Sequence, residues 1–261
     1  MAMTEKERQE FRNLTQSTPE WLVARRGRVT ASRCQDVIRK LKNGNYSADR
    51  YAYMMDLVVE HLTGRAIDTY VNQAMEWGIE QQPFAQAAYE MRQDVSVESV
   101  GLIVHPSLEL FAASPDGLVG ENGLVEFKCP TSRVHIEYLK AGVVPEEYIP
   151  QMNAQMACMP EREYCDFVSF DPRVPFGIQL FIRRHYRDKG RIEELEFEVN
   201  KFLAELASEL MALAVASPVE KHVEAELISL PHEVIPEVQE RRRELKDRAR
   251  QIVEKQTGVT A

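Results

Sequence analysis

The chain has no apolar run long enough to cross a bilayer. Its first residues, M-A-M-T-E-K-E-R-Q-E-F-R, are charged and lack the apolar core of a signal peptide. The expected location is therefore the cytoplasm. Cysteine is scarce: Cys34, Cys129, Cys158 and Cys165 form no C-x-x-C pair, and none follows Cys165. In a cytoplasmic chain these thiols are expected to be reduced. The lack of closely spaced cysteines near the C-terminus speaks against an iron–sulfur cluster. Internal repeats and low-complexity tracts are missing as well. Positive charge is in deficit, 32 Lys and Arg against 41 Asp and Glu, a formal charge of −9. That total argues weakly against a nucleic-acid partner, but totals are a poor guide where charges are segregated. Between Arg25 and Lys42 the bases Arg25, Arg26, Arg28, Arg33, Arg39, Lys40 and Lys42 face a single acid, Asp36. Such a cluster is either an exposed basic helix face or a phosphate-neutralising patch.

What is present suits one large domain, or a domain with an appendage: 261 residues, 44% hydrophobic. Helices are expected over residues 4–16, from Pro19 with Ser17 or Thr18 as cap, from Thr30 to about Leu41, over 49–63 up to Gly64, and over 72–92 with a disturbance at Pro83. A strand-rich section follows at Val95–Val104, Leu110–Ala113 and Leu118–Cys129. Residues 132–141 and 147–159 return to helix, and Tyr164–Phe170 and Ile178–Tyr186 read as further strands. Beyond Ile192 an apolar stripe of Ile192, Leu195, Val199, Phe202, Leu203, Leu206, Leu210 and Leu213 predicts a long helix. The tail from about Val234 is dense in charge, with Leu245, Ala249, Ile252 and Val253 as one thin apolar edge. The result is an α/β or α+β architecture, a sheet flanked by helices.

The segment S-P-D-G-L-V-G-E-N-G-L-V-E-F-K-C-P, Ser114 to Pro130, carries the chemistry. Asn122-Gly123 marks a hairpin turn. Strand side chains alternate, so Glu126 and Lys128 project together while Phe127 points the other way. A Glu-x-Lys pair by itself is usually a solvated edge. Here Leu124, Val125 and Phe127 make the strand apolar, and buried charges need partners or a metal. Asp116 and Glu126 are hard oxygen donors suited to Mg2+ or Mn2+, and Lys128 is placed to orient a water beside such an ion. The pattern points to metal-assisted phosphodiester hydrolysis, and it resembles the core of the PD-(D/E)xK nuclease superfamily.

Further blocks point the same way: Trp21 to Ser32 (W-L-V-A-R-R-G-R-V-T-A-S), Trp77-Gly78, Tyr148-x-x-Gln151 followed by Asn153 and Gln155, and the turn Phe170-Asp171-Pro172-Arg173. In this order they resemble the phage lambda exonuclease and its YqaJ-type viral relatives, over roughly residues 18–187. The resemblance implies a central mixed sheet of restriction-endonuclease-like type, an exonuclease domain over 1–217 and a charged helical extension over 218–261. It implies that Asp116 and Glu126, with the Phe127 carbonyl, hold the metals, that Lys128 orients the attacking water, and that Gln151 positions water or phosphate. Arg25, Ser32 and Ser114 would grip a terminal 5′ phosphate, Arg133 would touch another phosphate, and Met75 would be an apolar wedge splitting the duplex end. In one place the sequence departs from the pattern. Where the family has a second metal-binding glutamate, four residues after Gly78, stands Gln82. Glu80 lies about 200° away around a helix, so Gln82 is the favoured ligand and Glu80 the alternative.

The implied activity is Mg2+-dependent degradation of one strand of linear double-stranded DNA from a phosphorylated 5′ end. Two Mg2+ ions would serve each site, with Mn2+ able to substitute. The products would be mononucleotides and a 3′ overhang, passed to a single-strand annealing protein. A ring-shaped homotrimer and a phage or prophage origin in a bacterial cell are implied, with no membrane partner. Two alternatives stay open: a structure-specific or restriction-type endonuclease, and a weakly catalytic DNA-end-binding scaffold.

Overall fold

Local sequence rules set the first elements in a computed structural model of the chain, which describes residues 3–67 and 73–216. Helix α1 (Glu5–Arg12) opens on a capping box in which Thr4 and Glu7 bond each other's backbone N–H. Helix α2 (Pro19–Arg25) is capped by the Thr18 hydroxyl, with Pro19 in its first turn. Strand β1 (Val29–Thr30) leads through a 3-10 turn into α3 (Cys34–Ile38). Helix α4 (Ala48–Thr63) stops at Gly64, whose φ of 63° is the left-handed cap that glycine supplies. Helix α5 (Gln73–Gln93) runs continuously through Pro83. The expected disturbance is absorbed within a long helix packed on the sheet.

The chain continues with β2 (Val97–Glu98), β3 (Ile103–Val104), β4 (Phe111–Ala113), β5 (Gly117–Val119), β6 (Gly123–Lys128), α6 (Ser132–Ala141), α7 (Ile149–Cys158), β7 (Tyr164–Phe170), β8 (Leu180–Tyr186) and α8 (Lys189–Ala216). Two mixed sheets result: β1-β4-β3, and β2-β5-β6-β7-β8 with a parallel β6–β7 pair at its centre. Alternation along β6 decides the layering. Val125 and Phe127 pack with Ala85 and Tyr89 of α5. Leu124 faces the larger core shared with α3, α4, α7 and α8, where Phe202 stacks on Tyr53 at 5.7 Å.

Four expectations are corrected. The strand expected over residues 95–104 is two strands, one in the central five-stranded mixed sheet and one in the smaller sheet beside it. Between them the backbone crosses to the end of α1, where Gly101 N donates to Arg12 O and Leu102 N to Phe11 O. A Cβ on Gly101 would lie 2.4 Å from Leu14 O, so only glycine fits that crossing. The helix expected from Thr30 to Leu41 is shorter, because Thr30 joins β1 and Arg39 turns extended, letting Lys40 bridge to Tyr46. The hairpin turn spans Gly120 (φ 54°) to Asn122 and does not include Gly123. Gly123 instead opens β6, at a spot where a Cβ would meet the Tyr164 ring. Along α8 the stripe from Ile192 to Leu210 is buried as expected, but Leu213 is 40% exposed near the helix end. The expected extension over 218–261 lies outside the described residues.

The basic span from Arg25 to Lys42 does not form one patch. Arg33 pairs with Asp36 and Asp56, Arg39 with Asp49, and Lys40 with Glu198. Among the described residues Arg25, Arg26 and Arg28 bond neutral oxygens: Arg25 the Thr30 and Ser32 hydroxyls, Arg26 the Gly64 carbonyl, Arg28 the Ala24 and Glu109 carbonyls. Among the described residues, Arg25, Arg26 and Arg28 therefore keep their charge for an external anion, as does the exposed Lys42.

Candidate active site

Pairing of β5 with β6 sets Gly117 opposite Val125, which brings the residue before β5 alongside the end of β6. Phe127 N–H donates to Asp116 Oδ2 at 2.7 Å. Glu126 points to the opposite face from Phe127 and is 2% exposed. Its carboxylate is satisfied by three side chains. Lys128 Nζ and Gln151 Nε2 donate to Oε1 at 2.5 and 2.6 Å, and Gln155 Nε2 donates to Oε2 at 2.5 Å. Gln151 and Gln155 stand one turn apart on α7, which aims both at the same carboxylate. Gln155 is fixed in turn by the Cys165 thiol, which donates to its Oε1 at 3.4 Å.

The electrostatics follow from two carboxylates, Glu126 buried and Asp116 half-buried, beside one ammonium. Burial, and then the charge of Glu126, push the Asp116 carboxyl up to about 8 against the opposing pull of Lys128, the Phe127 N–H and the Gln82 side chain. Burial works to lower Lys128, but Glu126 and Asp116 outweigh it and hold the amine above the ordinary lysine range. Lys128 is thus a fixed cation that donates hydrogen bonds rather than a base. Gln82, on α5, hydrogen-bonds Asp116, whereas Glu80 lies exposed on the same helix. Of the two candidates for the departed position, the fold brings Gln82 to the carboxylates.

Among the described residues no group of three His, Cys, Asp or Glu side chains is arranged to hold a metal ion. The oxygen-rich set is two carboxylates completed by amides, and its donors fit a hard divalent cation. A cation of that kind would also offset the repulsion that raises Asp116.

Arg25, Ser32 and Ser114 are linked through Trp21. Arg25 Nη2 lies 3.2 Å from Ser32 Oγ, its guanidinium sits 4.9 Å from the Trp21 ring centre, and Trp21 Nε1 donates to Ser114 Oγ at 3.0 Å. Arg25 borders a cleft of about 160 Å³ shared with Arg26, Arg28, Thr30 and Arg33. Ser114 is two residues from Asp116, so this cluster adjoins the carboxylates. Met75 is 45% exposed in the first described turn of α5. Arg133 is exposed on α6 and pairs with Glu137.

The YqaJ-like viral recombinase domain matches residues 20–160, a span that holds Arg25, Asp116, Glu126, Lys128 and both glutamines of α7. The chain belongs to this family. The YqaJ-like assignment agrees with solved structures. The alkaline exonuclease LHK-Exo from Laribacter hongkongensis is 47% identical, with a TM-score of 0.70 over 75% of this chain and 96% of that one. Its complex with dAMP gives 0.71 over 76% and 96%. A phage-related exonuclease from Haemophilus somnus shares the fold at 16% identity, with a TM-score of 0.53 over 70% of this chain and 96% of that one. The uncharacterized protein R354 of Acanthamoeba polyphaga mimivirus is 25% identical over 166 residues, 59% of this chain but only 28% of that protein. The family and the 47% likeness support a nuclease or recombinase function for this YqaJ-like chain. None of its described helices is long and apolar enough to cross a membrane.

Gln155 is the site residue whose part could not be read from sequence beyond its place in a motif. Its i, i+4 spacing from Gln151 is the signal that marks it. Gln155→Leu should leave Glu126 Oε2 without a donor and lower nuclease activity about 10- to 100-fold, the usual effect of losing a partner that orients a ligand. Steady-state rates on linear DNA check this, with the melting temperature showing that the core survives.

Proposed function

We propose that the chain is a Mg2+-dependent exonuclease that degrades one strand of linear double-stranded DNA from its 5′ end. The observation that carries this reading is the convergence of Asp116, Glu126, Lys128, Gln151 and Gln82 at one end of the β5–β6 hairpin. Likeness to an alkaline exonuclease at 47% identity supports it. Asp116, Glu126, the Phe127 carbonyl and Gln82 would hold the two Mg2+ ions, with Mn2+ as a substitute. Bound Mg2+ supplies Lewis acidity toward the scissile phosphate and water.

The chain's own residues do the rest. Lys128, held charged by its two carboxylate neighbours, donates a hydrogen bond to the attacking water and fixes its direction. Gln151 and Gln155 keep Glu126 in one orientation. Arg25, Ser32 and Ser114 receive the terminal 5′ phosphate, since a guanidinium with flanking hydroxyls suits a phosphate dianion. Met75 parts the end of the duplex, and Arg133 meets a phosphate on the α6 side. A homotrimeric ring around DNA, handover of the 3′ overhang to a single-strand annealing protein, and a cytoplasmic setting belong to the same proposal.

Digestion of end-labelled linear duplexes, with and without a 5′ phosphate and with and without Mg2+, tests it. Mononucleotides should appear only with the metal, and faster from phosphorylated ends. Covalently closed circles should stay intact, and their cleavage would point to an endonuclease. Arg25→Ala should cut the preference for phosphorylated ends about tenfold or more, the scale of one charged hydrogen bond. Equal loss on hydroxyl and phosphorylated ends would show that Arg25 is not the discriminator.

A further inference from the structure

Asp171 directly follows β7 and its side chain is completely buried. It organises the end of the sheet. Arg173 returns to it with its backbone N–H at 3.0 Å and its Nε at 2.6 Å, both on Oδ1. The Ser132 side chain, in the first turn of α6, hydrogen-bonds the same carboxylate. Burial favours the neutral acid, but the donors of Arg173 and Ser132 hold the carboxyl below its ordinary range, so Asp171 stays an anion.

The Arg173 guanidinium is fixed on three sides. Asp171 holds Nε, the Pro130 carbonyl accepts from Nη2 at 2.8 Å, and the ring of Trp77 on α5 lies 4.2 Å from Cζ. Nη1 has no hydrogen-bond partner among the described residues, and the side chain remains 43% exposed. The Trp77 indole N–H is buried without a partner among the described residues. An unpaired buried donor is costly, so this tryptophan is placed for its ring face rather than for a hydrogen bond. An arginine stacked on an indole and anchored to a carboxylate has already lost its rotamer freedom, which is what a prebuilt anion contact requires.

Its position relates it to the candidate active site. Strands β6 and β7 run parallel with Lys128 beside Ser169, so Pro130 and Asp171 leave the sheet at the same end. Cys129, between Lys128 and Pro130, feels Asp116 and Asp171 on one side of the balance and Lys128 and Arg173 on the other. The carboxylates are thus flanked by two guanidinium stations. One, at Arg25, is reached through Ser114 and Trp21. The other, at Arg173, is reached through Cys129 and Pro130. Arg33, Arg39 and Lys40 are already paired internally, whereas Arg173 keeps part of its guanidinium open to a polyanion.

We infer that Arg173, with Trp77 as its platform, is a strand-positioning residue that takes a backbone phosphate of the DNA strand on the α6 side of the cleavage point. This rests on the nuclease function proposed above.

The test is steady-state digestion of a 5′-phosphorylated linear duplex in Mg2+ over a series of salt concentrations. Arg173→Ala should raise KM about tenfold, the loss expected for one charged contact. It should also flatten the dependence of log KM on log salt by roughly one phosphate contact. Arg173→Lys should keep the salt slope and recover part of KM, since it restores the charge without the planar fork. A lower melting temperature with KM and slope unchanged would overturn the inference and leave Arg173 a structural residue. Should Arg173→Ala not fold, Arg173→Gln against Arg173→Lys decides. A slope flattened in Gln and kept in Lys supports the phosphate contact, and equal slopes overturn it. If the wild type neither binds nor degrades the duplex, the nuclease proposal fails instead.

Discussion

Lys128→Ala is expected to reduce cleavage of linear duplex by on the order of 10³-fold, the upper range for removing one preorganised donor from a reacting centre. Lys128 has its Nζ 2.5 Å from Glu126 Oε1 and draws on the charge of Asp116 as well. Among the described residues no other Lys or Arg bonds that carboxylate, whose remaining donors are the neutral amides of Gln151 and Gln155. Removing the ammonium therefore takes away the hydrogen bond proposed to orient the water and leaves Glu126 without its counter-charge. Binding of DNA ends should survive, because Arg25, Ser32 and Ser114 lie in a separate hydrogen-bonded cluster. Single-turnover digestion measures the first effect and a mobility shift with a 5′-phosphorylated duplex the second. Cleavage within tenfold of the wild type would remove Lys128 from the mechanism. Lys128→Met, which keeps the apolar stem beside the Tyr148 ring, separates loss of charge from loss of packing.

Asp116→Asn is expected to be equally damaging to turnover, yet harmless to folding. An asparagine oxygen can still accept from Phe127 N–H, and the change removes a carboxyl whose ionised form burial and Glu126 both oppose. Without divalent ions the variant should therefore melt no lower than the wild type. The difference should emerge on adding Mg2+. At one hundred times its Kd, a ligand specific to the folded state contributes about 2.7 kcal/mol, which for a chain of this size is a rise on the order of 5–10 °C. The wild type should show that rise and Asp116→Asn should lose most of it. Thermal scans with Mg2+, repeated with Mn2+, check this independently of catalysis. An equal metal-induced rise in both proteins would mean that Asp116 is not a ligand.

Much of the candidate site was legible because its logic is local. The alternation of Leu124 to Lys128 decides which side chains share a face of β6, and no distant contact can change that without a slip in register. The spacing of Gln151 and Gln155 likewise sends both to one side of α7. The choice between Gln82 and Glu80 was only partly local. Helix geometry places them on different faces, but which face meets Asp116 depends on how α5 lies across the sheet.

Sequence alone determined the carboxylate–turn–carboxylate-x-lysine hairpin, the caps of α2 and α4 and the buried stripe of α8, because each follows from periodicity or from the backbone needs of single residues. Tertiary structure decided the rest. It split residues 95–104 between two sheets at Gly101. It neutralised Arg33, Arg39 and Lys40 with Asp56, Asp49 and Glu198 while leaving Arg25 its charge. It also set Arg173 on Trp77 beside the end of β6. Those outcomes depend on which charges and rings meet across long stretches of chain, and close packing of the whole core, not any local pattern, fixes such meetings.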